Sequence, residues 1–235
     1  MTLLPPGFTS HLAELRKRLI TSFMAIVVCA GIAILFAKQL TYLLMIPLFR
    51  SAPFVEKLIY TNLTEAFMSY LKVSLFAGVI VSSPVLLCEF WLFIAPALFQ
   101  NEKKVFGKII LLSFVLFAGG ALFAYFLVIP QLLQFFLGLG RDLLEPLPRL
   151  DAYLGFIGRT LLTFGLAFEI PFLIVATGKL GLVKRGYFKE RRKYYYLALF
   201  VVSTLLSGGD LFSAILLTLP LLGLYEIGVL TLNLF

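Results

Sequence analysis

The sequence predicts an all-α membrane protein, and three observations carry that prediction. Of its 235 residues 61% are hydrophobic and only 14% charged, with a mean hydropathy of +1.02, whereas a soluble domain is nearer half apolar. Several apolar runs exceed the roughly 18 residues that cross a hydrocarbon core about 30 Å thick. Between those runs the lysines and arginines gather on alternate loops, as in a polytopic chain with a preferred orientation. In a soluble domain the net charge of +8 would suggest nucleic acid. In a membrane chain its distribution matters more than its sum, and no nucleic-acid partner is expected.

The apolar runs and their breakers divide one domain, residues 1–235, into six spans. The first covers about 19–43, longer than the apolar part of a cleaved leader, and is read as an anchor. The second, about 66–98, contains Pro84 and ends near Pro96, and the third, about 106–139, carries Gly119, Gly120 and Pro130. Spans of about 153–178, 194–206 and 211–233 complete the set. The fifth has about 13 residues, roughly 20 Å at 1.5 Å each. That is short of an unperturbed core, so the bilayer thins or protein and water cover the helix end. The loops 44–64 and 140–152 hold Pro47, Pro53, Pro146 and Pro148 and suit an ordered cap. A cap beside short fifth and sixth helices describes a concave, glove-like bundle.

Six crossings put both termini on one side. Thirteen of the 20 lysines and arginines then lie on that side, in residues 16–18, 103–108 and 179–193, which makes it cytoplasmic. The three tyrosines 194–196 follow the most basic loop, where an interfacial aromatic belt sits.

Polar groups inside the apolar runs are the candidates for function. "FGLAFEIPFLIV", residues 164–175, sets Glu169 and Pro171 in a greasy segment. An ionised group at the bilayer centre costs about 2.5–3.5 kcal/mol even on lenient scales, so Glu169 faces protein or water, or is protonated in lipid. Pro171 has no N–H for the carbonyl of Ala167, which leaves that carbonyl free beside the carboxyl. Two readings stay open: a docking point for a partner's polar side chain, or a buried carboxyl satisfied within its own bundle. Glu226 and Glu89 lie nearer span ends and read as interfacial, while Asp210 after two glycines suits an N-cap.

Outside the membrane, "HLAELRKRL" places Glu14 four residues before Arg18, the favourable order for a helical ion pair. "FQNEKKVFGK" places Glu102 beside two lysines. Each is a solvated charge in one reading. In the other, such carboxylates are receptors for guanidinium, which binds carboxylate through a two-pronged fork. Cys29 and Cys88 lack metal or redox spacing, and His11 has no companion ligands. No metal, cofactor or catalytic residue is expected, and motifs of intramembrane proteolysis are missing from the sequence.

Five stretches in order, "HLAELRKRL", "SPVLLCEFWLFIAPALFQNEKK", "GALFAYFLVIP", "FGLAFEIPFLIV" and "LYEIG", resemble the TatC component of the twin-arginine protein translocase, over residues of about 10 to 230. The resemblance implies a non-enzymatic receptor and scaffold in a prokaryotic cytoplasmic (inner) membrane. It implies binding of twin-arginine signal peptides of folded precursors at the cytoplasmic face, and export of those precursors with the proton-motive force. It further implies single-span TatA/TatB-type partners, self-association and contact with membrane lipids. By motif position, Glu14 and Glu102 match the receptors of the signal's arginines, with Arg16 and Phe93 in the same surface. Glu169 matches an intramembrane docking carboxylate on the concave side, and Pro47, Tyr125 and Asp210 match outside positions linked to partner assembly and transport. Where the family often has a Thr-Pro-x-Asp turn, this chain reads "SGGD", and Glu89 stands where an uncharged residue is expected. The competing function is a proton-coupled small-solute transporter with Glu169 as its relay, although no second copy of the "FEIP" pattern marks the paired broken helices of that class.

Overall fold

The computed structural model describes residues 6–55, 57–94, 103–138, 147–179, 183–184, 186–206 and 211–234. Nearly all of these are helical. The first transmembrane rod is α1 (Pro6–Ala33), a 3-10 turn (Ile34–Phe36) and α2 (Ala37–Ser51). α3 (Glu65–Ile94) returns, and α4 (Lys103–Phe123), a π-helical turn (Ala124–Val128) and α5 (Ile129–Gly138) form the third rod. α6 (Leu150–Ala167) and α7 (Glu169–Lys179) make the fourth, and the short α8 (Tyr187–Glu190) leads into α9 (Arg192–Leu206) and α10 (Leu211–Leu234).

Among the described residues, five of these rods are long and apolar enough to cross a membrane. α9, with 15 residues, reaches roughly 22 Å and is the short fifth span. Shortness belongs to α9 alone of the last pair, because α10 runs 24 residues.

The helices pack as an open array rather than a closed ring: α1 lies on α3, α3 on α6, α6 on α4, α7 on α10, and α10 on α9. α1 and α9 stand at its two ends. Only 6% of the most apolar window of the first rod is buried, and Leu19, Phe23, Val27 and Leu35 are exposed along it. Such a surface belongs in lipid. Because lipid is as apolar as leucine, helices associate through close contact and polar groups instead. Glycines supply that approach: a Cβ on Gly78 would stand 2.7 Å from Ala30 of α1, and one on Gly120 would collide with the Phe164 carbonyl oxygen.

A cap forms at the end opposite residues 12–18, although residues 44–51 of the expected loop, Pro47 among them, continue the first rod as α2 and residues 140–146 lie outside the described residues. Ile59 N–H donates to the Pro148 carbonyl at 3.2 Å, and Leu150 N–H donates to Ile59 at 2.9 Å, stitching the two proline-bearing loops together. Beneath that stitch lies Glu65, which is 6% exposed. It accepts from the N–H and hydroxyl of Thr61 at 2.8 and 3.1 Å and from Arg149 at 3.3 Å. Lys72 and Asp151 add a second ion pair at 2.5 Å. No local signal in the sequence marks Glu65, because its partner Arg149 lies 84 positions away.

Glu65→Ala leaves these donors unmet and is expected to destabilise the protein by roughly 2–3 kcal/mol. Limited proteolysis of the 52–64 loop in detergent measures it, and an unchanged cleavage rate would show that the cap stands without this carboxylate.

Candidate functional site

The helix that carries Glu169 is broken, and the sequence shows why. Without an N–H at Pro171, the turn beginning at Ala167 cannot close, so α6 ends at Ala167 and α7 begins at Glu169. Phe168 N–H turns back to the Phe164 carbonyl at 3.1 Å. Glu169 thereby becomes the first residue of a new helix, where backbone N–H groups favour a carboxylate, and Pro171 falls in a first turn that tolerates proline.

Glu169 is buried, only 5% exposed. Neither carboxyl oxygen has a hydrogen-bond partner among the described residues. The Ser113 hydroxyl, which accepts the Trp91 indole N–H at 2.9 Å, lies nearby and keeps its own O–H to donate towards the carboxyl. Phe172, on the same face of α7 as Glu169, packs edge-on against Trp91 with centroids 5.2 Å apart. The carboxyl thus sits behind an aromatic wall rather than open on the concave surface. Burial of Glu169 agrees with both readings of the sequence.

At the terminal end, Glu14 and Arg16 lie on α1 and Phe93 lies on α3. Arg18 donates to one oxygen of Glu14 through Nε at 3.2 Å and Nη2 at 2.5 Å, and through Nη1 to Glu89 at 3.0 Å. This bridge joins α1 to α3. The two helices run antiparallel, so Glu14, one turn outward from Arg18, comes level with Phe93, one turn outward from Glu89. Arg16 is exposed. Glu14 and Phe93 thus come to the same end of neighbouring helices, Arg16, two residues from Glu14, projects from a different side of α1, and Glu102 lies outside the described residues. Glu89, for which the sequence offered no role, is the anchor of that bridge. A contact 71 positions distant in sequence leaves no local signal.

Pro47 and Tyr125 also meet. Proline at 47 withholds the N–H that the Leu43 carbonyl would normally receive, and the Tyr125 hydroxyl donates to that carbonyl at 2.7 Å. Tyr153 donates to the next one, Leu44, at 2.7 Å. Tyr125 reaches it from the π-helical turn, which shifts the side chains around it out of simple helical register. The pair borders a groove of about 390 Å³ with Arg50, Pro130 and Gln134. Asp210, the third outside position, lies outside the described residues. Among the described residues no cluster of histidine, cysteine and carboxylate fits a metal ion.

Glu226 has a structural partner set as well. It accepts from Arg192 at 2.6 Å and from the Tyr196 hydroxyl, so it pins the short α9 against α10.

An open array of helices, with five rods long and apolar enough to span a membrane among the described residues, defines a polytopic membrane protein. Known proteins narrow the class. A family profile described as Sec-independent protein translocase protein (TatC) matches residues 10–220, and the chain belongs to that family. It is 42% identical over 223 residues to the TatC protein of Aquifex aeolicus, covering 94% of this chain and 92% of that one. With the TatC protein of Desulforapulum autotrophicum it shares 41% identity over 228 residues, 97% of this chain and 84% of the relative. A crystal structure of the twin-arginine translocase receptor TatC superimposes with a TM-score of 0.89 at 39% identity, covering 95% of this chain and 98% of that one. The resemblance read from five motifs is thus borne out, and the protein is a Sec-independent translocase component of a membrane.

Tyr125→Phe is expected to destabilise the protein by roughly 1–2 kcal/mol, since the Leu43 carbonyl then faces an apolar environment alone. In a Pro47→Ala background, which restores a backbone N–H to that carbonyl, the same change is expected to do less. Additive losses in thermal unfolding of the two single variants and the double variant would show that the residues act independently.

Proposed function

We propose that this chain is the receptor and scaffold subunit of a twin-arginine translocase. In this reading, residues 12–18 and the adjoining end of α3 face the cytoplasm and bind signal peptides there. The observation that carries it is the exposed side of Glu14: one oxygen is held by Arg18, while the side chain keeps 34% of its surface open level with Phe93. A carboxylate so placed takes a guanidinium through two hydrogen bonds, and the neighbouring aromatic ring receives the apolar residues that follow a twin-arginine pair. Arg16 and Glu102 complete the surface.

The buried Glu169 serves a different partner. A carboxyl left without a hydrogen bond is costly in apolar surroundings, so a polar side chain from a single-span TatA/TatB-type helix gains by reaching it. Docking requires the Phe172 and Trp91 rings to give way, which ties partner entry to a local rearrangement of α7. Pro47, Tyr125 and Asp210 support assembly at the outer face. Transport then draws on the proton-motive force and ends with a folded precursor outside the cytoplasmic membrane.

The full-length protein in nanodiscs is expected to bind a twin-arginine signal peptide more tightly than its twin-lysine version, because lysine keeps the charge and loses the fork. Glu14→Ala is expected to abolish that preference. Equal binding of the two peptides by the unsubstituted protein would overturn the receptor reading. Glu169→Ala is expected to reduce co-purification of a TatB-like partner while peptide binding persists, and equal loss of both would assign the residue to folding instead.

A further inference from the structure

Arg18 already occupies part of the carboxylate that the receptor reading gives to a signal peptide. Three of its N–H groups are committed, two to a single oxygen of Glu14 and one to Glu89. Its side chain is 20% exposed, as against 34% for Glu14 and 19% for Glu89, so the arginine and the second carboxylate form the inner part of the cluster. The second oxygen of Glu14 accepts nothing from Arg18 and marks the more open side.

The charges decide what this arrangement does. Glu14 and Arg18 alone would be neutral and would offer a cation little attraction. Glu89 leaves the directly bonded trio with one net negative charge, which offsets part of the positive charge of Arg16 and Lys17 on the neighbouring faces of α1 and leaves Glu14 able to attract a guanidinium. Arrival of that group at Glu14 brings two cations together unless Arg18 withdraws, and Glu89 gives Arg18 somewhere to go without becoming an unpaired, half-buried charge. The α1–α3 bridge then stays in place through Arg18 and Glu89 while Glu14 changes partners.

Building on the receptor reading above, we propose that Arg18 is a built-in competitor for Glu14, and that Glu89 is the reserve carboxylate that receives it when the signal's arginine binds. Glu89 thereby sets the affinity of the site without touching the peptide. The exchange makes binding conditional on a true guanidinium fork, because a lysine has one ammonium to set against the two hydrogen bonds that Arg18 gives up.

The test is equilibrium binding of a labelled twin-arginine signal peptide to the full chain in nanodiscs, comparing the unsubstituted protein with Arg18→Gln, Glu89→Gln and Arg18→Lys. Arg18→Gln removes the competitor and is expected to tighten binding roughly two- to fivefold, the range of a partly exposed ion pair. Glu89→Gln keeps shape and removes the reserve charge, and is expected to weaken binding by a similar factor. Arg18→Lys retains the charge with a weaker grip on Glu14 and is expected to fall between the unsubstituted protein and Arg18→Gln. Thermal unfolding of each variant identifies any that fail to fold. Weaker binding in a folded Arg18→Gln or Arg18→Lys protein would make Arg18 a positioning residue for Glu14 and overturn the proposal, as would unchanged binding in Glu89→Gln. Failure of the receptor reading itself shows separately, as binding indifferent to Glu14→Ala.

Discussion

Lipid offers no hydrogen bonds, and the organisation of this protein follows from that constraint. Every carbonyl or carboxyl placed in a span must find its partner inside the protein. Prolines make the requirement sharper, since each one frees a carbonyl a turn earlier. At Pro47 the freed group is met by Tyr125, so a helix breaker becomes a fastening between the first and third rods. At Pro171 the chain breaks instead, and a fresh helix begins at Glu169. One residue type has two outcomes, decided by whether a neighbouring side chain can reach the orphaned group.

Seen through that constraint, the polar residues sort themselves. Glu65, Glu226 and Glu89 each hold cations or N–H donors that join two elements. They are fastenings between helices or loops that apolar packing alone would leave free to slide in a lipid solvent. Glu169 differs because its partners are absent within the described chain. The proposed docking role rests on that difference. The open array of helices agrees: a wall with unclosed ends leaves room for further helices alongside.

The sequence made most of the fold legible because membrane spans announce themselves by composition and by the sidedness of Lys and Arg. The short fifth helix and the proline-bearing cap followed from counting residues. The break at Phe168 was foreseeable from Pro171, and Glu169 from its cost in an apolar run. The missing parts share one physical cause, which is distance along the chain. Glu89 meets Arg18 across 71 positions, Tyr125 meets Leu43 across 82, and Arg149 meets Glu65 across 84. Hydropathy and helical spacing report neighbours within a few turns, so they show which groups need partners without showing which ones they find. The bounds of the sixth span, 211–233, match α10, so its own residue count is inconsistent with a short helix alongside the fifth.

The central claim is that Glu169 is left unsatisfied for a partner helix. Photocrosslinking in native membranes tests it most directly, with a photoreactive phenylalanine analogue at Phe172, one turn from Glu169, and at Leu35, which is 76% exposed on the first rod. The account predicts a crosslink to a single-span partner from position 172 that disappears when Glu169→Ala is added, while any crosslink from position 35 is unaffected by that change. Crosslinking from position 172 that persists without the carboxyl would contradict it.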